Sequence, residues 1–174
     1  LTNTGVAMTD AIATGEPHPV KALIVQGGNP VSALSDTSTL RKTLQMTDLL
    51  VVHDPYLSST AQIADIVLPA ATFLERDLIL YYRYRPSARA NLIAMQNRCV
   101  PPVGESKSDL EFIIALARRV GLGEYFPWED VKDAFDQELE VHGISVDWLR
   151  QHPGGYLREY EPEEVYRQYE QEGF

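Results

Sequence analysis

Three short apolar runs in the first half of the chain have the pattern of β-strands. They are Lys21–Gln26, Leu49–His53 and Ile66–Leu68. Each has a continuous apolar centre with β-branched residues, as expected for strands covered on both faces, and each stops at Gly, Asp or Pro. Strands separated by segments of helical character predict a parallel sheet with right-handed crossovers.

Helices are predicted between these strands. Asp36 or Thr37 can cap a helix in which Leu40 and Leu44 share one face. Ser58-Ser59-Thr60 offers cap residues for a short helix before the third strand. The predicted fold class is therefore α/β, with a parallel sheet as the middle of three layers and crossover helices around it.

The clearest helix signal lies in the second half of the chain. Ser108-Asp109-Leu110-Glu111 matches a capping box, and Gly121 is a natural helix stop. Between them runs an apolar stripe that we expect to pack against the core of the sheet. The stripe consists of Phe112, Ile113, Leu116, Ala117 and Val120.

The remaining elements have weaker signals. Leu78–Tyr84 and Leu92–Arg98 are compatible with extended strands. Further helices are predicted at Trp128–Leu139, at Val146–Arg150 with Ser145 as its cap, and from Pro162 onward.

The pattern divides the chain into three consecutive segments. Residues 1–19 are predicted to be a linker that includes a short helix at Met8–Ala13. Residues 20–123 form the α/β segment, and residues 124–174 form an acidic helical extension.

Charge is distributed unevenly along the chain. The net charge is −10, yet residues 1–123 contain 11 acidic and 11 basic side chains. Residues 124–174 contain 14 acidic and 4 basic side chains, so the whole net charge belongs to the extension. An acidic surface does not bind nucleic acid, because phosphates need basic partners. No apolar run approaches the ~20 residues that span a bilayer, so no direct membrane insertion is expected.

The chain offers few groups for catalysis or metal binding. Cys99 is the only cysteine, which excludes an internal disulfide and a cysteine-ligated iron–sulfur cluster within the chain. The four histidines show no metal-ligand spacing, and no nucleophile–base–acid triad is visible. His53 is interpreted as a core or near-site histidine. We therefore predict no catalytic residue and no metal ligand in this chain.

Candidate chemistry lies where the predicted strands end. Ligands of an open parallel sheet bind beyond the carboxyl ends of its strands, and three features fall there: Gly27–Pro30, Asp54 and Ser58–Thr60. Glycines let a phosphate or a ring approach the backbone, helix starts supply N–H groups for phosphate, and a carboxylate accepts from guanine or ribose. Each feature also has a structural interpretation, as a turn, a strand terminator or a helix cap. The turn matches neither a Walker loop nor G-x-G-x-x-G.

The ordered combination of these features resembles a known family. The sequence contains VKALIVQGGNP, then VVHDPYLSSTAQIADIVLPAATFLE, then Gln96 and PPVGESKSDLEFIIALARRVGLGEYFPW. These runs resemble the second nucleotide-binding stretch of the molybdopterin oxidoreductases, the dimethyl-sulfoxide-reductase family. The likeness covers about residues 17–130 and is greatest to the thiosulfate- or polysulfide-reductase-like and acetylene-hydratase-like branches. In this family the stretch is the later half of a discontinuous Rossmann-like domain.

The resemblance implies a cofactor and site residues. Family members bind two molybdopterin guanine dinucleotides around one molybdenum or tungsten. By position, Gly27, Gly28, Asn29 and Pro30 would line the guanosine end of one cofactor, and Asp54 would contact the guanine or ribose. Ser58, Ser59 and Thr60 would hold the phosphate side.

The resemblance also implies that the chain is an internal piece of a larger catalytic subunit from a bacterium or archaeon. The family's 4Fe–4S segment and its metal-ligating segment would lie upstream, and a last domain would follow. On this hypothesis the isolated chain has no turnover and retains no cofactor. Its partners would be the other domains of the subunit, with iron–sulfur electron-transfer and membrane-anchor subunits also implied. The compartment, cytoplasmic or periplasmic, is not specified by the sequence.

Two alternatives stay open. The chain could be a free-standing nucleotide- or partner-binding α/β module, in which case the reading frame would not continue into a further β-domain. It could also belong to a non-redox hydratase of the same family, because the residues that distinguish the two chemistries lie outside this chain.

Overall fold

The structure is a computed structural model that describes residues 5–83 and 90–159. Two compact units account for the chain. Unit 1 comprises Leu1–Thr72 and Pro101–Ile113, and unit 2 comprises Phe73–Val100 and Ile114–Phe174. The sequence predicted three consecutive segments that meet at residues 19 and 123. Each unit is built from two separated stretches of the chain, so the units do not test that division, which stays a prediction.

Unit 1 contains the predicted parallel sheet. Its strands are β1 (Ala22–Gln26), β2 (Leu49–Asp54) and β3 (Ile66–Pro69), in the order β1-β2-β3. Both pairs are parallel, with Gln26 opposite His53 and Asp54 opposite Pro69. The α/β class and the parallel direction are therefore confirmed, and β2 is the central strand.

The helix α1 (Gly5–Thr14) precedes β1 and includes the predicted short helix. Between β1 and β2 lie α2 (Pro30–Ala33), which was not predicted, and the predicted α3 (Thr37–Leu44). A 3-10 turn at Ala61–Ile63 precedes β3 in place of the predicted short helix. Asp36 caps α3 by accepting a hydrogen bond from the Thr39 N–H at 3.2 Å. Hydrogen bonds from Thr39 hold the pKa of this carboxyl below its ordinary value.

The core of unit 1 lies on one face of the sheet. Its buried side chains come from α1, α2, α3 and the sheet: Ile12, Val25, Val31, Leu40, Leu44, Leu50, Val52 and Ala61. Burying each large aliphatic side chain contributes about 1.5–3 kcal/mol, so this cluster holds the helices against the sheet.

Coverage of both sheet faces, which the apolar runs predicted, holds only for β2. On the second face, Ile24 of β1 and Ile66 of β3 are 44% and 45% exposed, whereas Val51 between them is buried. The continuous apolar runs therefore overstate the burial of the two outer strands.

The capping box and the first turn of α4 (Asp109–Arg119) belong to unit 1. The Ser108 N–H donates to Glu111 Oε2 at 2.7 Å, and the Glu111 N–H donates to Ser108 Oγ at 3.3 Å. This reciprocal pair confirms the predicted helix start.

Unit 2 contains an antiparallel sheet. Its strands are β4 (Leu78–Arg83), β5 (Ala90–Gln96) and β6 (Tyr156–Glu159), in the order β4-β5-β6. The two extended segments predicted from the sequence are confirmed, except that β5 ends at Gln96 and Tyr84 lies outside the described residues. The sequence analysis missed β6.

The helices of unit 2 confirm the predicted positions with shifted ends. They are the remainder of α4, then α5 (Val131–Glu140), capped by Asp130, and α6 (Val146–Gln151), capped by Ser145. Trp128 therefore precedes α5 instead of beginning it. The helix predicted from Pro162 lies outside the described residues.

The predicted stripe of α4 is partly wrong. The buried side chains of α4 are Ile114 and Ala117, while Val120 follows the helix and is 59% exposed. Gly121 has a φ of +83°, as expected for the predicted helix stop.

No helix within the described part of the chain combines the length and the apolar character needed to cross a membrane.

Candidate functional site

Two loops leave the same edge of the unit 1 sheet. β1 continues into Gly27–Pro30, and β2 continues through Asp54 into Ser58–Thr60. Because β1 and β2 are parallel and end in register, both loops begin at the carboxyl edge, where ligands of parallel sheets bind. The structure thus brings the predicted segments to one edge.

The glycine turn presents open backbone. Gly27 has a φ of +63°, which favours glycine, and a Cβ added at Gly27 or Gly28 would meet no atom within 4 Å. Among the residues the structure describes, the N–H groups of Gly27 and Gly28 have no hydrogen-bond partner. These donors are therefore available to a ligand.

Asn29 connects the two loops. Its Oδ1 accepts from Ser59 Oγ at 2.9 Å, from Thr60 Oγ1 at 2.7 Å and from the Thr60 N–H at 3.2 Å. Its Nδ2 donates to Ser32 Oγ at 3.1 Å. The Asn29 oxygen is therefore occupied by contacts within unit 1, and its nitrogen donates one bond there.

Thr60 is fully buried. Its hydroxyl oxygen accepts from the Val31 N–H at 3.1 Å, at the start of α2, while its hydrogen goes to Asn29. The Thr60 side chain therefore joins α2 to the loop after β2 and is not exposed to a ligand. Pro30 opens α2 and is half-buried.

Ser58 differs from its two neighbours. Its Oγ accepts from the Ala61 N–H at 3.3 Å, and within the described ranges its hydroxyl hydrogen has no acceptor. Of the three hydroxyls predicted for the phosphate side, Ser58 alone keeps a hydrogen to donate to a ligand.

Asp54 ends β2 with one carboxylate oxygen engaged. Oδ1 accepts from the Tyr56 N–H at 2.8 Å, which fixes the side chain, and the carboxylate is half-buried. Oδ2 has no hydrogen-bond partner in residues 5–83 and 90–159. Asp54 shares the edge with the other predicted residues but makes no side-chain hydrogen bond to them.

His53 forms a buried contact set that the sequence analysis did not find. It is 1% exposed, it stacks on Phe112 with ring centroids 4.8 Å apart, and its Nδ1 lies 3.6 Å from Asp109 Oδ1. The Gln26 carboxamide nitrogen lies 3.2 Å from His53 Nδ1 and 3.3 Å from the Asp109 carbonyl oxygen. Gln26 and Asp109 lie 83 residues apart in sequence. The only sign of this contact set in the sequence was a histidine next to Asp54.

The contacts of Gln26 bear on which nitrogen of the His53 ring accepts a hydrogen bond. The Asp109 carbonyl can only accept, so the nitrogen of the carboxamide must face it. The same nitrogen lies 3.2 Å from Nδ1, so the tautomer with its hydrogen on Nε2 accommodates both Gln26 contacts. The Nε2 atom is buried without a partner among the described residues.

The chemistry of the edge is that of neutral N–H donors with one carboxylate. Gly27–Pro30, Asp54 and Ser58–Thr60 include no lysine or arginine. A phosphate there would be held by backbone N–H groups and a hydroxyl. Within the described ranges, no group of three or more His, Cys, Asp or Glu side chains is placed to hold a metal ion.

Several known proteins are similar to this chain over most of its length. The chain is 35% identical to the molybdopterin-containing subunit of thiosulfate reductase from Salmonella typhimurium, over 87% of this chain and 19% of that protein. It is 33% identical to acetylene hydratase of Syntrophotalea acetylenica, over 80% of this chain and 18% of that protein. The solved acetylene hydratase from Pelobacter acetylenicus superimposes on 90% of this chain and 20% of that structure, with a TM-score of 0.73 and 29% identity.

The chain thus spans about a fifth of the length of the curated relatives it matches. The model of one family, described as molybdopterin oxidoreductase, matches residues 2–119, which include the glycine turn, Asp54 and the loop up to Thr60. A match over more than half of the chain, which includes the whole parallel sheet, shows that this chain belongs to the molybdopterin oxidoreductase family.

Proposed function

We propose that this chain forms part of the binding surface for the guanosine end of a molybdopterin guanine dinucleotide, within the catalytic subunit of a molybdenum or tungsten oxidoreductase. The observation that carries the proposal is the shared edge of the sheet. There, the N–H groups of Gly27 and Gly28 and the Oδ2 of Asp54 lie together, all without a hydrogen-bond partner among the described residues.

The donor and acceptor set suits a guanine nucleotide. Asp54 Oδ2 can accept from the N1–H or 2-amino group of guanine, while Oδ1 stays bound to the Tyr56 N–H. The open backbone at Gly27 and Gly28 and the Ser58 hydroxyl can donate to ribose or phosphate oxygens. When bound, the pterin-held metal would supply the redox chemistry, and the residues of this chain would bind and orient the nucleotide end.

The substitution Asp54→Asn tests the proposal in the complete protein encoded by the reading frame. The amide keeps one oxygen for the Tyr56 N–H but turns an NH₂ group toward the donors of guanine. Losing a charged acceptor costs about 1.5–3 kcal/mol, which is roughly a tenfold to hundredfold loss of affinity. We expect less molybdenum and less guanosine monophosphate released per polypeptide after acid hydrolysis.

Asp48→Asn is the matched control, because Asp48 is an exposed aspartate next to the opposite end of β2. It should leave the cofactor content unchanged. If Asp54 only terminates the strand, Asp54→Asn will change thermal stability and leave cofactor content at the wild-type level, and the proposal is then wrong.

A second candidate function is a non-redox hydratase of the same family. It is favoured by the likeness to acetylene hydratase in both sequence and structure. A dye-linked electron-transfer assay of the complete protein separates the two chemistries, because a hydratase adds water with no net electron transfer. The reading frame distinguishes the free-standing module from both, because only the module would have no further coding sequence.

A further inference from the structure

The hydrogen-bond directions around Asn29 can be assigned completely. The Thr60 N–H can only donate and lies 3.2 Å from Oδ1, so the oxygen of the Asn29 amide must face it. Oδ1 then accepts the hydroxyl hydrogens of Ser59 and Thr60. The assignment of the amide therefore rests on a backbone donor.

The remaining directions follow from this assignment. The Asn29 Nδ2 group donates to Ser32 Oγ at 3.1 Å, and Ser32 Oγ lies 2.7 Å from Ser59 Oγ. Since the only hydroxyl hydrogen of Ser59 is directed to Asn29, the hydrogen in the Ser32–Ser59 contact belongs to Ser32. The three side chains form a closed cycle of hydrogen bonds, here called the Asn29 ring (Asn29, Ser32 and Ser59).

The Asn29 ring leaves no hydroxyl hydrogen for a phosphate. Those of Ser32 and Ser59 lie within the ring, and that of Thr60 is bound to Asn29. A ligand that took one of them would have to open the ring. The ring also spans the two loops beyond the ladder, which ends at the pair Gln26 and His53. The bonds of Thr60 to Asn29 and to the Val31 N–H also join the two loops, and the ring adds the connection through Ser32 and Ser59.

We propose that the Asn29 ring, including Ser32, is a positioning device that sets the spacing between the Gly27–Gly28 backbone and the Asp54 carboxylate without contacting the ligand. On this proposal Ser32 is a positioning residue. Asn29, Ser59 and Thr60 likewise hold the two loops at a fixed distance and do not contact the nucleotide themselves. The inference rests on the proposed function, because the spacing matters only if both groups bind one nucleotide.

The experiment measures the first-order rate at which the guanosine-containing cofactor leaves the purified complete protein. Ser32→Ala opens the ring at an exposed position, so the fold should be kept, and we expect loss to be about three- to tenfold faster. Ser32→Thr keeps the hydroxyl and should restore the wild-type rate. Ser35→Ala is the matched control, since Ser35 is an exposed serine on the same segment with no hydrogen bond among the described residues.

A double substitution separates positioning from direct contact. If Ser32 acts by positioning Asp54, Ser32→Ala will accelerate cofactor loss less in the Asp54→Asn background than in the wild type. Equal fold-changes in both backgrounds would mean an independent ligand contact and would overturn the inference. So would an unchanged rate for Ser32→Ala alongside a faster rate for Asp54→Asn, and that outcome leaves the proposed function intact.

Failure of the proposed function has a different signature. In that case the complete protein releases no guanosine monophosphate, or Asp54→Asn and Ser32→Ala both leave the rate of cofactor loss unchanged. Amide hydrogen exchange at residues 27–29 and 58–60 gives the structural readout. Faster exchange in Ser32→Ala without faster cofactor loss would reduce the ring to a purely structural role and overturn the inference.

Discussion

Replacing Thr60 by valine removes one hydroxyl from the centre of unit 1 and changes little else. Valine has nearly the same shape as threonine, and Thr60 has 0% exposure, so no new solvent contact is expected. The substitution deletes the bond from Thr60 Oγ1 to Asn29 Oδ1 and deprives the Val31 N–H of its acceptor. The effect on stability therefore reports the hydroxyl alone.

The magnitude follows from which group is left unsatisfied. Asn29 Oδ1 keeps two other donors, from Ser59 and from the Thr60 backbone. The buried Val31 N–H loses its acceptor, and an orphaned buried donor costs about 1–3 kcal/mol. We expect unit 1 to lose about 2 kcal/mol of its free energy of unfolding, which is roughly a thirtyfold change in an opening equilibrium.

Amide hydrogen exchange in the wild type and two variants tests this estimate. Protection of the β1 and β2 amides should fall about thirtyfold in Thr60→Val, because these amides exchange when unit 1 opens. Thr60→Ser keeps both hydrogen bonds and loses one methyl group, worth about 0.8 kcal/mol, so its protection should fall only about fourfold. Protection in Thr60→Val equal to or greater than that in Thr60→Ser would refute the assignment of Thr60 as a buried connector.

Two further predictions concern other parts of the chain. Burial, followed by a hydrogen bond to Glu138, raises the pKa of Tyr81 to about 12. Because unfolding returns it to about 10, the stability held by the neutral phenol is complete below pH 10 and is lost as the pH rises to 12. In urea unfolding, the free energy of unfolding of Tyr81→Phe should not show this loss between pH 10 and 12. An equal decline of that free energy in both proteins would contradict the prediction. In the capping box, Glu111→Ala should cost about 1 kcal/mol in chemical unfolding, and Ser108→Ala should add less than its own single effect because the two bonds are reciprocal. If the two substitutions lower the free energy of unfolding in a strictly additive way, the prediction is wrong.

The topology of unit 1 could be predicted because its signals are local. Each strand is one apolar run with a stop, and two of the helix starts carry their own caps, Asp36 and Ser108. The carboxyl edge followed from the parallel direction alone. Local patterns of this kind need no knowledge of distant partners.

The elements that escaped prediction depend on distant partners. The strand β6 has the sequence Tyr-Leu-Arg-Glu, which has no apolar run, and it exists because it pairs with β5 from more than sixty residues earlier. For Ile24 the sequence predicted burial that the fold does not provide. An apolar run alone does not reveal whether another element covers it. Pairing and coverage are properties of the assembled fold.

The candidate site divides in the same way. The sequence placed Gly27, Gly28 and Asp54 at one edge because a turn and a strand end are local features. It could not tell a side chain that faces a ligand from one that faces its neighbour. Asn29 and Thr60 carry the polar groups expected of ligand contacts, but the fold brings them within 2.7 Å of each other across 31 positions of sequence.

This division accounts for polar residues in both loops, such as Asn29 and Thr60, that bond to each other. Parallel strands fix their own spacing only as far as the ladder extends, which here is the pair Gln26 and His53. Loops beyond that point need their own connection if two of their groups are to meet one nucleotide. Hydroxyls and a carboxamide provide it at little cost, because each hydrogen bond replaces one to water and satisfies a partially buried group. On the proposed function, this edge would use two sets of polar residues, one that contacts the nucleotide and one, centred on Asn29, that keeps the first set at the right distance.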